Sequence, residues 1–279
     1  MFFATYRNTV KTLLRSVTFW LIFIVYVAIM IRYGVVPHVV YLPGYEPLQL
    51  SFSDYVSRLD NTVYAGSLIY PLAILTVITT ALVLNRDYGD SFFEIEKAAG
   101  IRPSRYLLGR LGAVVSITFV SHWVLSFTAL QICVVREGGV EGFSFLQYMG
   151  DSLFRLTRTS FCTALPYILF YVGITYLLGT LFKNGVAASV GGFISAIAYY
   201  VIYLVYRYEI WAKPYIDYLS PQPNKLRHYF SSLGRENAQA LLARHETSLG
   251  KALLCIGFLV GVFAVCMAVS YVRLRKRET

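Results

Sequence analysis

The chain has 279 residues, of which 57% are hydrophobic and 14% are charged, with a mean hydropathy of +0.57. A soluble domain carries about 25% charged residues, so this composition favours an integral membrane protein. It excludes a disordered chain, a collagen and a disulfide scaffold. In a membrane protein the net charge of +10 indicates the orientation of the spans rather than an affinity for nucleic acid, so we expect no nucleic-acid partner.

The first segment, 1–16, predicts an amphipathic helix. Its apolar positions share one helical face: Phe3, Tyr6, Val10, Leu13 and Val17. The basic residues Arg7, Lys11 and Arg15 form a stripe on the opposite face. This division favours a helix on the membrane surface, with its cations toward anionic lipid. The alternative is the frayed start of the first span.

Long stretches without charged residues predict six membrane spans, because about 20 apolar residues cross the hydrocarbon layer. They lie at about 16–33, 62–84, 108–135, 160–182, 186–206 and 251–272. Strands are excluded because the runs do not alternate. The predicted fold is an all-α integral membrane protein, a single transmembrane domain over 1–279 with six transmembrane helices and the N-terminal interfacial helix.

Basic residues near the span ends predict the orientation of these helices. With both termini inside, the inner segments hold 13 basic and five acidic residues, whereas the longer outer segments hold 12 and 10. We therefore expect cytoplasmic N- and C-termini in the cell membrane. The extracellular loop 207–250 contains Trp211, Tyr215 and Tyr218, which suit either an interfacial belt or a lid, and a short helix at about 235–246.

The loop 85–106 is the longest predicted cytoplasmic connection. Ser91 and Glu94 fit a capping box that starts a helix at Phe92, and Gly100 offers a left-handed stop. Pro103 prevents the helix from continuing. With Phe92, Ile95 and Ala99 on one face, this short helix suits a socket on another protein. The alternative is an amphipathic connector that rests on lipid.

Small and polar residues within the spans suggest packing faces and a pathway. Gly191 and Gly192 belong to small-residue repeats, and Gly257 and Gly261 form a GxxxG motif; each suits packing within one subunit or a dimer interface. Uncharged polar residues give a possible substrate pathway: Thr76, Thr80, His122, Tyr171, Thr175 and Tyr199. We expect His122 to be neutral and to bond a neighbouring helix, with a proton relay as the alternative. Pro166 should bend the fourth span.

The sequence predicts no enzyme. It contains no G-x-x-x-x-G-K-[ST] phosphate loop, no H-E-x-x-H motif and no G-x-S-x-G motif, so we expect no catalytic residue, metal or cofactor on this chain. The cysteines are scattered among apolar runs, which is typical of buried side chains.

The order of these elements resembles that of type-2 ATP-binding-cassette (ABC) exporter permeases, the transmembrane subunits of bacterial exporters. A basic amphipathic start leads into the first span, KTLLRSVTFW, and the stretch DSFFEIEKAAGIRPSRYLLGR before the third span is the strongest local match. A tight turn between spans four and five and a long outer loop also fit.

The resemblance implies a permease subunit driven by separate ATPase subunits, which would carry the ATP and magnesium. A second copy or a paralogue would complete a dimer. The short helix of the loop 85–106 would couple to the ATPase. The residues that the family pattern assigns to this contact are Glu94, Glu96, Lys97, Gly100, Arg102, Pro103 and Arg105. Phe92 and Ile95 of the apolar face would join them. The uncharged pathway suits a drug, antibiotic, peptide or lipid, exported outward. Two alternatives remain: a non-transporting scaffold or sensor, and an ion-coupled secondary transporter.

Overall fold

The computed structural model describes residues 2–30, 55, 69–89, 92–136, 138–208, 239 and 248–275. The described part of the chain is 91% helical and contains no strand. Within it the helices are α1 (Phe2–Arg15), α2 (Val17–Met30), α3 (Ile69–Gly89), α4 (Phe92–Ala98), α5 (Pro103–Arg136), α6 (Phe145–Cys162), α7 (Ala164–Phe182), α8 (Gly185–Tyr208) and α9 (Leu249–Arg275). The all-α class is therefore confirmed.

Helix α7 lies at the centre of the bundle, and most of its 19 residues are buried. It packs against α3, α5, α6, α8 and α9. Glycine allows α7 and α9 to approach closely, since a Cβ on Gly173 would lie 3.1 Å from the Cα of Phe263 in α9. Short side chains at such positions let apolar helices pack where lipid removes the hydrophobic drive for their association.

Long apolar helices indicate a membrane-embedded protein. Pro103–Val135, Phe145–Phe182 and Leu249–Arg275 are long and apolar enough to cross a membrane, and α1 with α2 makes a fourth candidate if this pair, bent by 70°, is one span. Two other predicted spans, 62–84 and 186–206, lie partly on residues whose placement or side chains are not described. The number of six crossings thus stays a prediction.

Helix α6 was not predicted, because 136–159 lies between two predicted spans and no element was assigned to it. Its buried residues, Tyr148, Ser152, Leu156, Thr159 and Ser160, share one face. On the opposite side, Leu146 and Phe154 are 80% and 67% exposed. A search for apolar runs does not find this helix, because amphipathic spacing rather than mean hydropathy defines it.

The helix runs from α6 into α7 with an interruption at Thr163. Pro166 lies in the first turn of α7, so it offers no N–H to the carbonyl group of Cys162. The turn at Thr163 lies three residues before Pro166, and the bend of the fourth span at Pro166 stays a prediction.

Helix α1 packs on α5 rather than offering its whole apolar face to a membrane. Thr5, Thr9 and Leu13 are buried, whereas Phe3 is 79% exposed. The close approach depends on Gly109 in α5, where an added Cβ would lie 2.9 Å from the Cβ of Thr5. The predicted apolar face is thus divided between the protein and the surroundings.

The predicted loop helix is confirmed as α4, which we call the loop helix. Gly100 follows it with φ of 76°, and the N–H of Ile101 donates to the carbonyl oxygen of Glu96 at 3.1 Å. This is a Schellman motif, for which glycine is the favoured residue. Pro103 begins α5. Ser91 of the predicted capping box, and the outer loop apart from residues 207, 208, 239 and 248–250, lie outside the described residues.

Candidate functional site: a buried charge cluster beneath the loop helix

Arg110, in the second turn of α5, is the centre of a buried charge cluster. Its Nη2 lies 2.9 Å from Oδ1 of Asp87, near the end of α3, and 3.7 Å from Oε1 of Glu96 in the loop helix. All three side chains are at least nine-tenths buried. The guanidinium group also stacks over the ring of Tyr106, one turn earlier, at 5.1 Å from the centroid. One cation thus links three helices.

Threonines of α1 complete the cluster. The Thr5 hydroxyl donates to Oε2 of Glu96 at 3.1 Å, and Nη1 of Arg110 donates to the Thr9 hydroxyl at 2.8 Å. Arg86 donates to the hydroxyl of Thr12. These threonines are spaced four and three residues apart, so they lie on one helical face. Helix α1 is therefore attached to α3, α5 and the loop helix by short polar side chains.

Burial raises the pKa of Asp87 to about 6, since desolvation outweighs the opposing attraction of Arg110. A buried ion pair of this kind adds little net stability to the fold, but the loss of one partner is costly because the other charge is left uncompensated. The cluster therefore acts as a clamp between helices. Groups of three or more metal-binding side chains are absent from the described part of the chain.

The loop helix has an exposed side and an attached side. Glu94 and Ile95 are exposed, the latter at 58%. Glu96 is 7% exposed and faces Arg110, so its carboxylate anchors the helix instead of meeting a partner in this conformation.

The remaining predicted coupling residues follow the helix toward α5. Gly100, Arg102 and Arg105 are exposed, and Pro103 is partly buried. The side chains of Phe92 and Lys97 are outside the described set. Residues 98–100 and Arg102 are thus exposed next to the loop helix, with the partly buried Ile101 between them.

The predicted pathway residues are packed inside the bundle. The hydroxyls of Thr76 and Thr80 donate to carbonyl oxygens of their own helix, at 2.6 and 2.7 Å. Tyr171 and Thr175 on α7 are buried as well, and the side chain of Tyr199 is not described. These positions therefore line helix contacts in this conformation, and their role in a pathway stays a prediction.

His122 bonds a neighbouring helix, as predicted. Its Nδ1 lies 2.8 Å from the Tyr26 hydroxyl oxygen in α2, and its side chain is fully buried. The pair joins α2 to the middle of α5.

The small-residue motifs divide into two kinds. A Cβ on Gly191 would lie 2.5 Å from Cδ1 of Leu178, and one on Gly192 would lie 2.6 Å from Oγ1 of Thr175. These glycines therefore pack α8 against α7 within one subunit. At Gly257 and Gly261 an added Cβ meets nothing within 4 Å in the described structure, so their motif faces outward.

Sequence reasoning missed the charge cluster. Arg110 looked like a charge that sets topology, and Thr5 and Thr9 looked like neutral positions of an amphipathic helix. A weak signal was present: Asp87 lies at the start of the predicted loop and Arg110 at the start of the predicted span that follows it, where opposite charges can meet.

Over the described residues the protein is all-helical, its long apolar helices indicate a membrane-embedded protein, and a short helix is fastened between two of its longer helices. No protein-family model matches the chain, and no curated protein sequence matches it.

Proposed function

We propose that the chain is the permease subunit of an ABC exporter, driven by separate ATPase subunits that bind ATP and magnesium. It moves a hydrophobic or amphiphilic substrate, such as a drug, antibiotic, peptide or lipid, out across the bacterial cell membrane. A second copy or a paralogue completes the pathway, and both termini are cytoplasmic.

The loop helix is the observation that carries this proposal. It is seven residues long, it lies between two long helices, and its inner side is fixed by Glu96. Its outer side presents Glu94 and Ile95, an acidic and an apolar residue that are both exposed. A short helix that is rigidly held and outwardly exposed can transmit force from a partner without bending.

The position of the charges adds support. Asp87, Glu96 and Arg110 meet at the helix ends next to the loop, outside the predicted apolar runs of α3 and close to the start of that of α5. Ion-coupled carriers usually keep ionisable groups at the middle of the membrane. A clamp at the cytoplasmic face suits coupling to an external motor better than it suits ion translocation.

The test is purification of the tagged full chain from its native membranes, followed by assay of ATP hydrolysis in the eluate. We expect co-purified ATPase activity, and we expect the Glu94→Arg, Ile95→Ser double variant to lose it because both residues face outward. Glu141→Arg is the matched charge reversal at an exposed residue on the predicted opposite side, and it should retain the activity. Absence of ATPase from the wild-type eluate, or equal activity in both variants, contradicts the proposal.

A further inference from the structure

The exposed edge of α1 carries three cations. Arg7, Lys11 and Arg15 are exposed and, at four-residue spacing, they lie on the side of the helix opposite the buried threonines. Two large apolar side chains flank them, Phe3 at 79% and Leu14 at 47% exposure. We call Arg7, Lys11 and Arg15 with these two neighbours the basic edge.

The corner after α1 sets how this edge meets a bilayer. Helices α1 and α2 are bent by 70° at Ser16, and the indole N–H of Trp20 donates to the carbonyl oxygen of Leu14 at 2.8 Å. If α2 runs along the membrane normal, α1 lies close to the membrane plane. Cations beside exposed apolar side chains on such a helix match an anionic lipid surface.

The opposite side of α1 holds the loop helix. Thr5 bonds Glu96 directly, and Thr9 bonds Arg110, which in turn contacts Glu96. Helices α1 and α5 approach closely at Gly109, where an added Cβ would lie 2.9 Å from the Cβ of Thr5. A change in the position of α1 therefore changes the support of the loop helix.

We propose that the basic edge binds the headgroups of anionic phospholipids, and that this binding stabilises the docked loop helix through Thr5 and Thr9. The inference rests on the proposed function only in naming an ATPase as the partner of that helix. Anionic lipid then controls how firmly the permease presents its coupling element.

The test uses the full chain in nanodiscs of phosphatidylcholine, with or without phosphatidylglycerol, and measures amide hydrogen exchange peptide by peptide. No ATPase is present, so the result does not depend on the proposed function. We expect phosphatidylglycerol to slow exchange several-fold in both Phe2–Arg15 and Phe92–Ala98. The Arg7→Gln, Lys11→Gln, Arg15→Gln variant should lose both effects, whereas the matched Arg273→Gln, Arg275→Gln variant at the exposed end of α9 should keep them.

A second pair of variants separates lipid binding from its transmission. Thr9→Val removes the hydroxyl that accepts from Arg110, so it should retain slowed exchange in α1 and lose most of it in the loop helix. Thr9→Ser should restore the effect because it restores the hydroxyl. The proposal is overturned if phosphatidylglycerol leaves α1 unchanged, if the triple variant responds like the wild type, or if Thr9→Val still transmits the full effect.

Discussion

Replacing Arg110 with methionine removes the cation that faces two buried carboxylates. Methionine fills much of the aliphatic volume, so the main loss is electrostatic. Removal of one partner from a buried ion pair costs about 3–5 kcal/mol because the remaining charge is left uncompensated. Here Asp87 and Glu96 both lose a partner, and Thr9 loses its donor, so we expect a value in the upper part of that range.

The carboxylates can be neutralised as a matched control. Asp87→Asn and Glu96→Gln keep the size of the side chains and remove the charge, so adding both to Arg110→Met should recover most of the loss. The assay is thermal unfolding of the detergent-solubilised full chain, in which the single variant should unfold roughly 10 °C below the wild type.

Two results would refute this reasoning. A single variant as stable as the wild type means that Arg110 is not a clamp. A triple variant no more stable than Arg110→Met means that the cost is one of packing or of the bond to Thr9, and not of uncompensated charge.

Three further predictions use the same unfolding assay. Gly109→Val places side-chain atoms within the space of Thr5, so it should cost about 1–3 kcal/mol and speed hydrogen exchange in α1; unchanged exchange would contradict the close approach. Gly192→Val should destabilise the protein by a similar amount, whereas Gly257→Ala should be neutral or slightly stabilising, because its neighbourhood is open and alanine favours helix; equal losses would place both glycines in packed interfaces. The raised pKa of Asp87 means that the folded state holds this proton more tightly than the unfolded chain, so the stability from protonation is fully present below about pH 4 and is lost as the pH rises through about 6. Stability should therefore rise by about 1 kcal/mol from pH 7 to pH 5, and Asp87→Asn should remove this increment; an identical pH profile in the variant would show that other groups cause it.

The sequence predicts helices well where a single signal dominates. Apolar runs identify the stretches that contain α2, α3, α5, α7, α8 and α9, and the glycine after the loop helix fixes where it ends. These signals are local, because mean hydropathy and backbone conformation depend on neighbouring residues. Helix α6 was not predicted because Asp151, Arg155 and Arg158 lower its mean hydropathy. In the structure Nε of Arg155 lies 2.8 Å from Oδ2 of Asp151, and the buried face of the helix follows helical spacing.

The charge cluster could not be predicted in the same way. Thr9 and Arg110 are separated by 101 positions, and Thr5 and Glu96 by 91, and no periodicity links them. Which residues meet depends on how α1 folds back after Ser16 and on the space left by Gly109. The exposed side of the loop helix was predicted only in part, because Glu96 belongs to the inner side while Glu94, two residues earlier, points outward.

The combined length of α6 and α7, which are separated only by Thr163, has a consequence for how this pair can meet a membrane. Together they cover 38 residues, which at about 1.5 Å per residue is roughly 57 Å, nearly twice the thickness of a hydrocarbon layer of about 30 Å. Tilt alone cannot absorb that difference at ordinary angles of about 20°. If α7 crosses the hydrocarbon layer, much of α6 must therefore lie outside it, together with the exposed side chains of Phe145 and Phe154.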